Sequence, residues 1–228
     1  MNTRPVNLRL PRMRTAIVCG ALGVMCLATC VSADNQVNNG PQQTITRVEE
    51  DWQITVGAPD PNLNLPQITM VMTPYPGVIG HHAVFEINSQ TQPNYSPGGM
   101  QLQRWFGQEN FADVVSPGNP ALLQTAGEVV TFTMSMEVQG STLSFGVSNG
   151  SSQTWGSFGN GQSMILSVAF DGTNLNSYDS TQSLANSYVG AGSNRVQQVV
   201  RTAVRYYSNG TLVNTDSTQQ VLWQYTGQ

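Results

Sequence analysis

Lysine is absent from this chain, and all nine basic residues are arginine. Four of them (Arg4, Arg9, Arg12 and Arg14) lie at the extreme N-terminus, so residues 34–228 hold five arginines against 13 acids, a balance of −8. A surface so poor in cations offers no patch to displace counterions from nucleic acid. It is an equally poor match to anionic lipid. Cysteine is confined to Cys19, Cys26 and Cys30, so the rest of the chain holds no thiol for a disulfide and must fold on its core alone. Histidine occurs only as the adjacent pair His81 and His82. In a strand these rings point to opposite faces, His82 with Val84 and Glu86, His81 with Ala83, Phe85 and Ile87. They do not jointly hold a metal that needs three or four ligands. A serine–histidine–acid triad, a P-loop and a dinucleotide fingerprint are also missing.

What is present begins with a three-part pattern. The N-terminal arginines precede the apolar run "TAIVCGALGVMCLATC" (15–30), and "VSA" (31–33) supplies small residues before a cleavage point. This is the layout of a secretory signal peptide over residues 1–33. The apolar run is shorter than the roughly 20 residues that span a bilayer, so no membrane span is expected after processing. The expected location is secreted, periplasmic or at the cell surface. "LATC" also resembles the lipobox of bacterial lipoproteins, which makes lipid anchoring at Cys30 the alternative processing route. Residues 34–44 lack an apolar period and read as a flexible leader.

From residue 45 onward the pattern is that of strands. In "VVTFTMSMEV", Val130, Phe132, Met134, Met136 and Val138 alternate strictly with Thr131, Thr133, Ser135 and Glu137, the period of a half-buried strand. Leu143, Phe145 and Val147 continue the apolar face after a turn. Asn209-Gly210 between two strand patterns is a strong hairpin signal. About ten strands without crossover helices predict an all-β fold, an antiparallel β-sandwich, in one domain over 45–228. The polar stretch "DGTNLNSYDSTQSLANS" reads as a long loop.

Four groups of residues are candidates for function. Gln101, Gln103 and Trp105 share a strand face that combines neutral amides with a flat ring, suited to a sugar. Trp155 and Phe158 sit among Gly, Ser and Asn, where they either stack on a ligand or fold back to plug the sandwich. Asp171, Asn174, Asn176 and Asp179 supply the hard oxygens that calcium takes, although plain turns use the same residues. Glu49, Asp51 and Glu86 are the acids available to a glycoside hydrolase or lyase.

The stretches "RVEEDWQITVGAPDP", "AVFEIN", "PNYSPGGMQLQRW", "TWGSFG" and "NSYVGAGSNRVQQVVRTAVRYYSNG" resemble a family of secreted planctomycete proteins whose activity is not established. The ending "GAGSNRVQQVVRTAVRYYSNGTL" is similar to the last strands of concanavalin A-like, laminin G-type jelly rolls. That second resemblance implies a jelly-roll arrangement and a range of roles, from lectin to glycosidase to adhesion module. The jelly-roll glycosidases of the laminarinase type carry E-x-D-x-E on one strand. Here Glu49-x-Asp51 is followed by Gln53, so the third acid is missing. The expectation is a non-catalytic recognition or surface-structural module, with an extracellular glycan or a cell-envelope protein as partner. A polysaccharide-active enzyme and a purely structural envelope protein stand as alternatives.

Overall fold

In the computed structural model the described residues are 43–58, 68–77, 80–87, 99–107, 109–115, 123, 125–160, 164–190 and 196–226, with 109–114 described by backbone only. The signal segment, Cys30 and most of the leader lie outside them. Alternation decides the first strand. β1 (Arg47–Val56) buries every second residue, Val48, Glu50, Trp52, Ile54 and Val56. β6 (Val129–Gln139) and β7 (Thr142–Ser152) follow the predicted period, with Phe132, Met134, Met136, Leu143 and Phe145 inside.

These strands form an eight-stranded sheet with β8 (Gly156–Phe158), β9 (Ile165–Ala169), β11 (Val196–Ser208), β12 (Thr211–Asp216) and β13 (Gln220–Gln224). Its central order is β12-β11-β1-β6-β7-β8. Two short strands lie end to end along each outermost long strand, β12 and β13 along β11, β8 and β9 along β7. The second sheet has five strands, in the order β10 (Tyr188–Val189), β2 (Ile68–Met72), β3 (His81–Ile87), β4 (Met100–Phe106) and β5 (Glu109–Val115). Every pairing is antiparallel.

The inner faces meet in one apolar core. Ile68, Met70, Met72, Phe85, Ile87, Met100 and Leu102 from the smaller sheet join Trp52, Ile54, Phe132, Met134 and Phe145 from the larger. Phe85 meets Phe132 edge-on at 4.9 Å between ring centroids, a favoured aromatic geometry. The all-β, two-sheet expectation is therefore met, with 13 strands among the described residues against the expected ten or so.

One element departs from the sequence reading. Within the stretch read as a loop, Ser180–Asn186 form the short helix α1, capped by Asp179, whose carboxylate accepts from the backbone N–H groups of Thr181 and Gln182. Ser183 is fully buried and its hydroxyl donates to the Val71 carbonyl of β2, while Ser187 Oγ accepts from Val71 N. The helix thus docks on the smaller sheet through the Ser183 and Ser187 hydroxyls, with Leu184 packed against the core.

Candidate functional site

The aromatic cavity forms where β3 starts and β4 ends. Gly80 (φ +89°) precedes β3, Gly107 (φ +57°) follows β4, and the Gly107 N–H donates to the Gly80 carbonyl at 3.0 Å. Both glycines occupy the left-handed region that side-chain-bearing residues avoid. This closure makes His81 and Phe106 cross-strand neighbours, with ring centroids 4.8 Å apart. Opposite them, the Phe170 N–H donates to the Ser141 carbonyl at 2.8 Å, tying the end of β9 to the β6–β7 turn. Tyr75 comes from a turn after β2 that wraps the Thr73 hydroxyl, 3.2 Å from the Tyr75 and Gly77 carbonyl oxygens. Its ring lies 5.9 Å from that of Phe170.

Tyr75, His81, Phe106, Phe170, Ser141 and Asp171 line an open cavity of about 510 Å³. Phe106 is 46 % exposed and lines this cavity beside His81. Burial, then the Arg104 charge, lower the His81 pKa against an opposing pull from Asp171, so the imidazole is neutral at pH 7. Arg104 lies 3.4 Å from His81 Nδ1 and donates to it. Burial, then Asp171, raise the Tyr75 phenol, which keeps its proton and serves as a donor. The cavity therefore presents aromatic faces together with neutral donors and a carboxylate.

The sequence candidates are distributed differently. Gln101, Gln103 and Trp105 do share a face, joined there by His82 and Glu86. Their polar groups are already satisfied within the protein. Trp105 Nε1 donates to Gln103 Oε1 at 2.8 Å, while Gln103 and Gln101 donate to Glu86 Oε2 at 2.8 and 3.2 Å. Gln101, Gln103 and His82 are buried, and His82 stacks on Trp105. Burial leaves the His82 pKa lowered and the ring neutral.

Trp155 and Phe158, the second aromatic pair read from the sequence, turn inward. They are only 7 % and 5 % exposed and belong to the core, with Phe158 between Phe132 and Trp155. Gly150 lets this happen, since a Cβ there would lie 2.3 Å from the Phe158 ring. The fold-back alternative describes these rings.

The Asp171–Asp179 segment is held as turns and a cap. Asn176 Oδ1 accepts from Ile45 N at 2.7 Å, Asn174 Oδ1 from Asn176 N at 3.0 Å, and Asp179 caps α1. Only Asp171 of the four lines the aromatic cavity. Among the described residues, no cluster of three or more His, Cys, Asp or Glu side chains forms a metal site.

The acids of β1 are bound by arginine. Arg205 grips Asp51 through both terminal nitrogens and reaches Glu49 through Nε at 3.0 Å, in the forked geometry that suits carboxylates. Those carboxylates, and burial working against them, leave the Arg205 pKa raised further still. Tyr207 and Arg47 also contact Glu49, and Thr133 donates to Asp51. On the inner face, Glu50 is wholly buried and takes Arg201 at 2.9 Å, the Tyr178 hydroxyl and Trp52 Nε1. Arg201 also donates to the Ser180 carbonyl at the start of α1.

No protein-family model, curated protein or solved structure matches the chain. Among the described residues, no helix is long and apolar enough to cross a membrane.

Proposed function

We propose that the protein is an exported, non-catalytic recognition module that binds a glycan in the Tyr75–His81–Phe106–Phe170 cavity. The observation that carries this reading is the exposed Phe106 ring beside a carboxylate, a phenol and a neutral imidazole. Sugar rings offer an apolar C–H face and a hydroxyl rim, so they need a flat ring beneath and neutral or acidic partners around. The secretory pattern of residues 1–33 and the resemblance to secreted bacterial proteins support delivery beyond the cytoplasm. A jelly-roll connectivity of lectin type fits the two-sheet architecture.

The hydrolase or lyase alternative is less well supported. Glu49 and Asp51 are engaged with Arg205, and Glu86 holds two buried amides. Neither arrangement leaves an acid and a base flanking an open cleft, as glycoside hydrolysis requires.

The test is binding of the purified protein to a glycan panel, with and without calcium, followed by Phe106→Ala and Tyr75→Ala. Each substitution is expected to weaken binding by about tenfold, a difference of roughly 1.4 kcal/mol. Calcium independence is expected, because three of the four loop oxygens serve turns and a cap. A blank panel, or unchanged affinity in both variants, refutes the assignment.

A further inference from the structure

A second cavity of about 590 Å³ adjoins the first. Thr46, Glu137, Gln139, Thr173, Asn209 and Gly210 line it. The two cavities share a wall: Gly140 faces one and Ser141 the other, Thr173 one and Asp171 the other. The Phe170–Ser141 hydrogen bond joins the two strands of chain that form this wall. Building on the glycan reading above, we propose that the ligand is an uncharged glycan chain of several units that lies across both cavities.

Three features carry the proposal. Each cavity by itself falls within the roughly 300–1,000 Å³ of small-ligand sites, so each has room for a unit of its own. The lining changes from aromatic rings to hydroxyls and amides across the wall, the two kinds of surface that a sugar chain presents repeatedly. Each cavity also carries one carboxylate, Asp171 in the first and Glu137 in the second, and no arginine among the described lining residues. Arg104 backs His81 at 3.4 Å and Arg47 stands opposite Glu137 across β1 and β6, so each carboxylate has an arginine nearby. The cavities hold no excess of positive charge for a polyanionic chain, and the two carboxylates accept hydrogen bonds from a neutral one.

The second cavity is also preformed. Asn209 N donates to Thr46 Oγ1 at 2.9 Å, fixing the β11–β12 turn, and Leu175 N donates to the Ile45 carbonyl at 2.7 Å beside it. Little ordering is then needed on binding. A unit held in the first cavity raises the effective concentration of the next unit at the second.

The test uses isothermal titration of the protein with glucose, N-acetylglucosamine, their β-1,4-linked oligomers of up to six units, and a carboxymethylated oligomer. The expected result is an affinity at least tenfold higher for four units than for one, with the carboxymethylated chain weaker than its neutral counterpart. Thr173→Trp and Gln139→Trp, both at exposed positions, fill the second cavity and are expected to bring the four-to-one affinity ratio towards one. An affinity independent of chain length, or a ratio unchanged in both filled variants, overturns the second subsite while leaving the aromatic pocket standing. Preference for the carboxymethylated chain overturns the charge argument. No binding of any probe overturns the glycan reading and this inference together.

Discussion

Replacing Glu50 by glutamine tests what holds the larger sheet to α1. Glu50 is 0 % exposed and Arg201 3 %. The carboxylate accepts from Arg201, from Tyr178 and from Trp52, and Arg201 passes the connection on to Ser180. Burial, and then the Glu50 charge, push the Tyr178 phenol well above its ordinary value, so it remains a donor across the working pH range. Glu50→Gln keeps the shape and removes the charge. Arg201 is then left as a buried guanidinium with only the longer-range charge of Asp216 to balance it, and its Nε already lacks a hydrogen-bond partner. Removing one member of such a pair costs about 3–5 kcal/mol. For a domain of this size each kcal/mol lowers Tm by roughly 2–4 °C, so the expected drop is about 6–20 °C. Urea unfolding followed by tryptophan fluorescence reads it well, because Trp52 donates to the carboxylate in question. The double variant Glu50→Met with Arg201→Met is the companion measurement. It removes both charges and is expected to recover most of the loss, since apolar replacements of buried pairs are often neutral or stabilising. A loss below about 1 kcal/mol for the single variant, or a double variant less stable than the single, refutes the reasoning.

Two further outcomes follow from side chains away from the cavities. Burial acts to raise the Glu128 pKa, but hydrogen bonds from the Ser152 hydroxyl and from the Thr154 hydroxyl and N–H outweigh it, and the net direction is down. Its contribution is therefore present above the ordinary carboxylate value and lost as pH falls through the lowered one; the stability gap between the native chain and Glu128→Gln, measured by urea unfolding, is expected to be open at pH 7 and to close below about pH 4. Trp155→Ala is expected to cost about 3–5 kcal/mol in the same assay while leaving glycan affinity of the folded protein unchanged, because the ring fills core; loss of affinity without loss of stability would return Trp155 to the ligand.

The strands were legible wherever one face is apolar and the other is not. Residues 130–138 and 143–147 announce both their strand character and their buried side. The Asn209-Gly210 turn fixes its own hairpin, since φ is 47° at Asn209 and 81° at Gly210. The position of Glu50 was half legible. It shares a face with Val48, Trp52, Ile54 and Val56, which points it inward, but its partner Arg201 lies 151 residues away. Helix α1 was missed because seven residues carry only Leu184 and Ala185 as apolar members, too few for a helical period. Its remaining signal was Asp179 as an N-cap, which plain turns mimic. The aromatic cavity draws on residues 75, 81, 106, 141, 170 and 171, from five separate segments. No local pattern joins them. Trp105 and Trp155 stood out in sequence because tryptophan is rare, and rarity says nothing about which way a ring points.

The paired short strands on β11 and β7 have a consequence for life at high concentration. A long strand at the rim of a sheet invites a neighbouring molecule to add its own. Here each long strand is sheltered by two pieces of at most six residues, with 217–219 separating β12 from β13 and 159–164 separating β8 from β9 in the sequence. The net −8 of residues 34–228 also keeps molecules apart, but salt screens that repulsion. An interrupted rim denies a neighbour the unbroken row of amides that fibre growth requires, and it does so at any salt concentration.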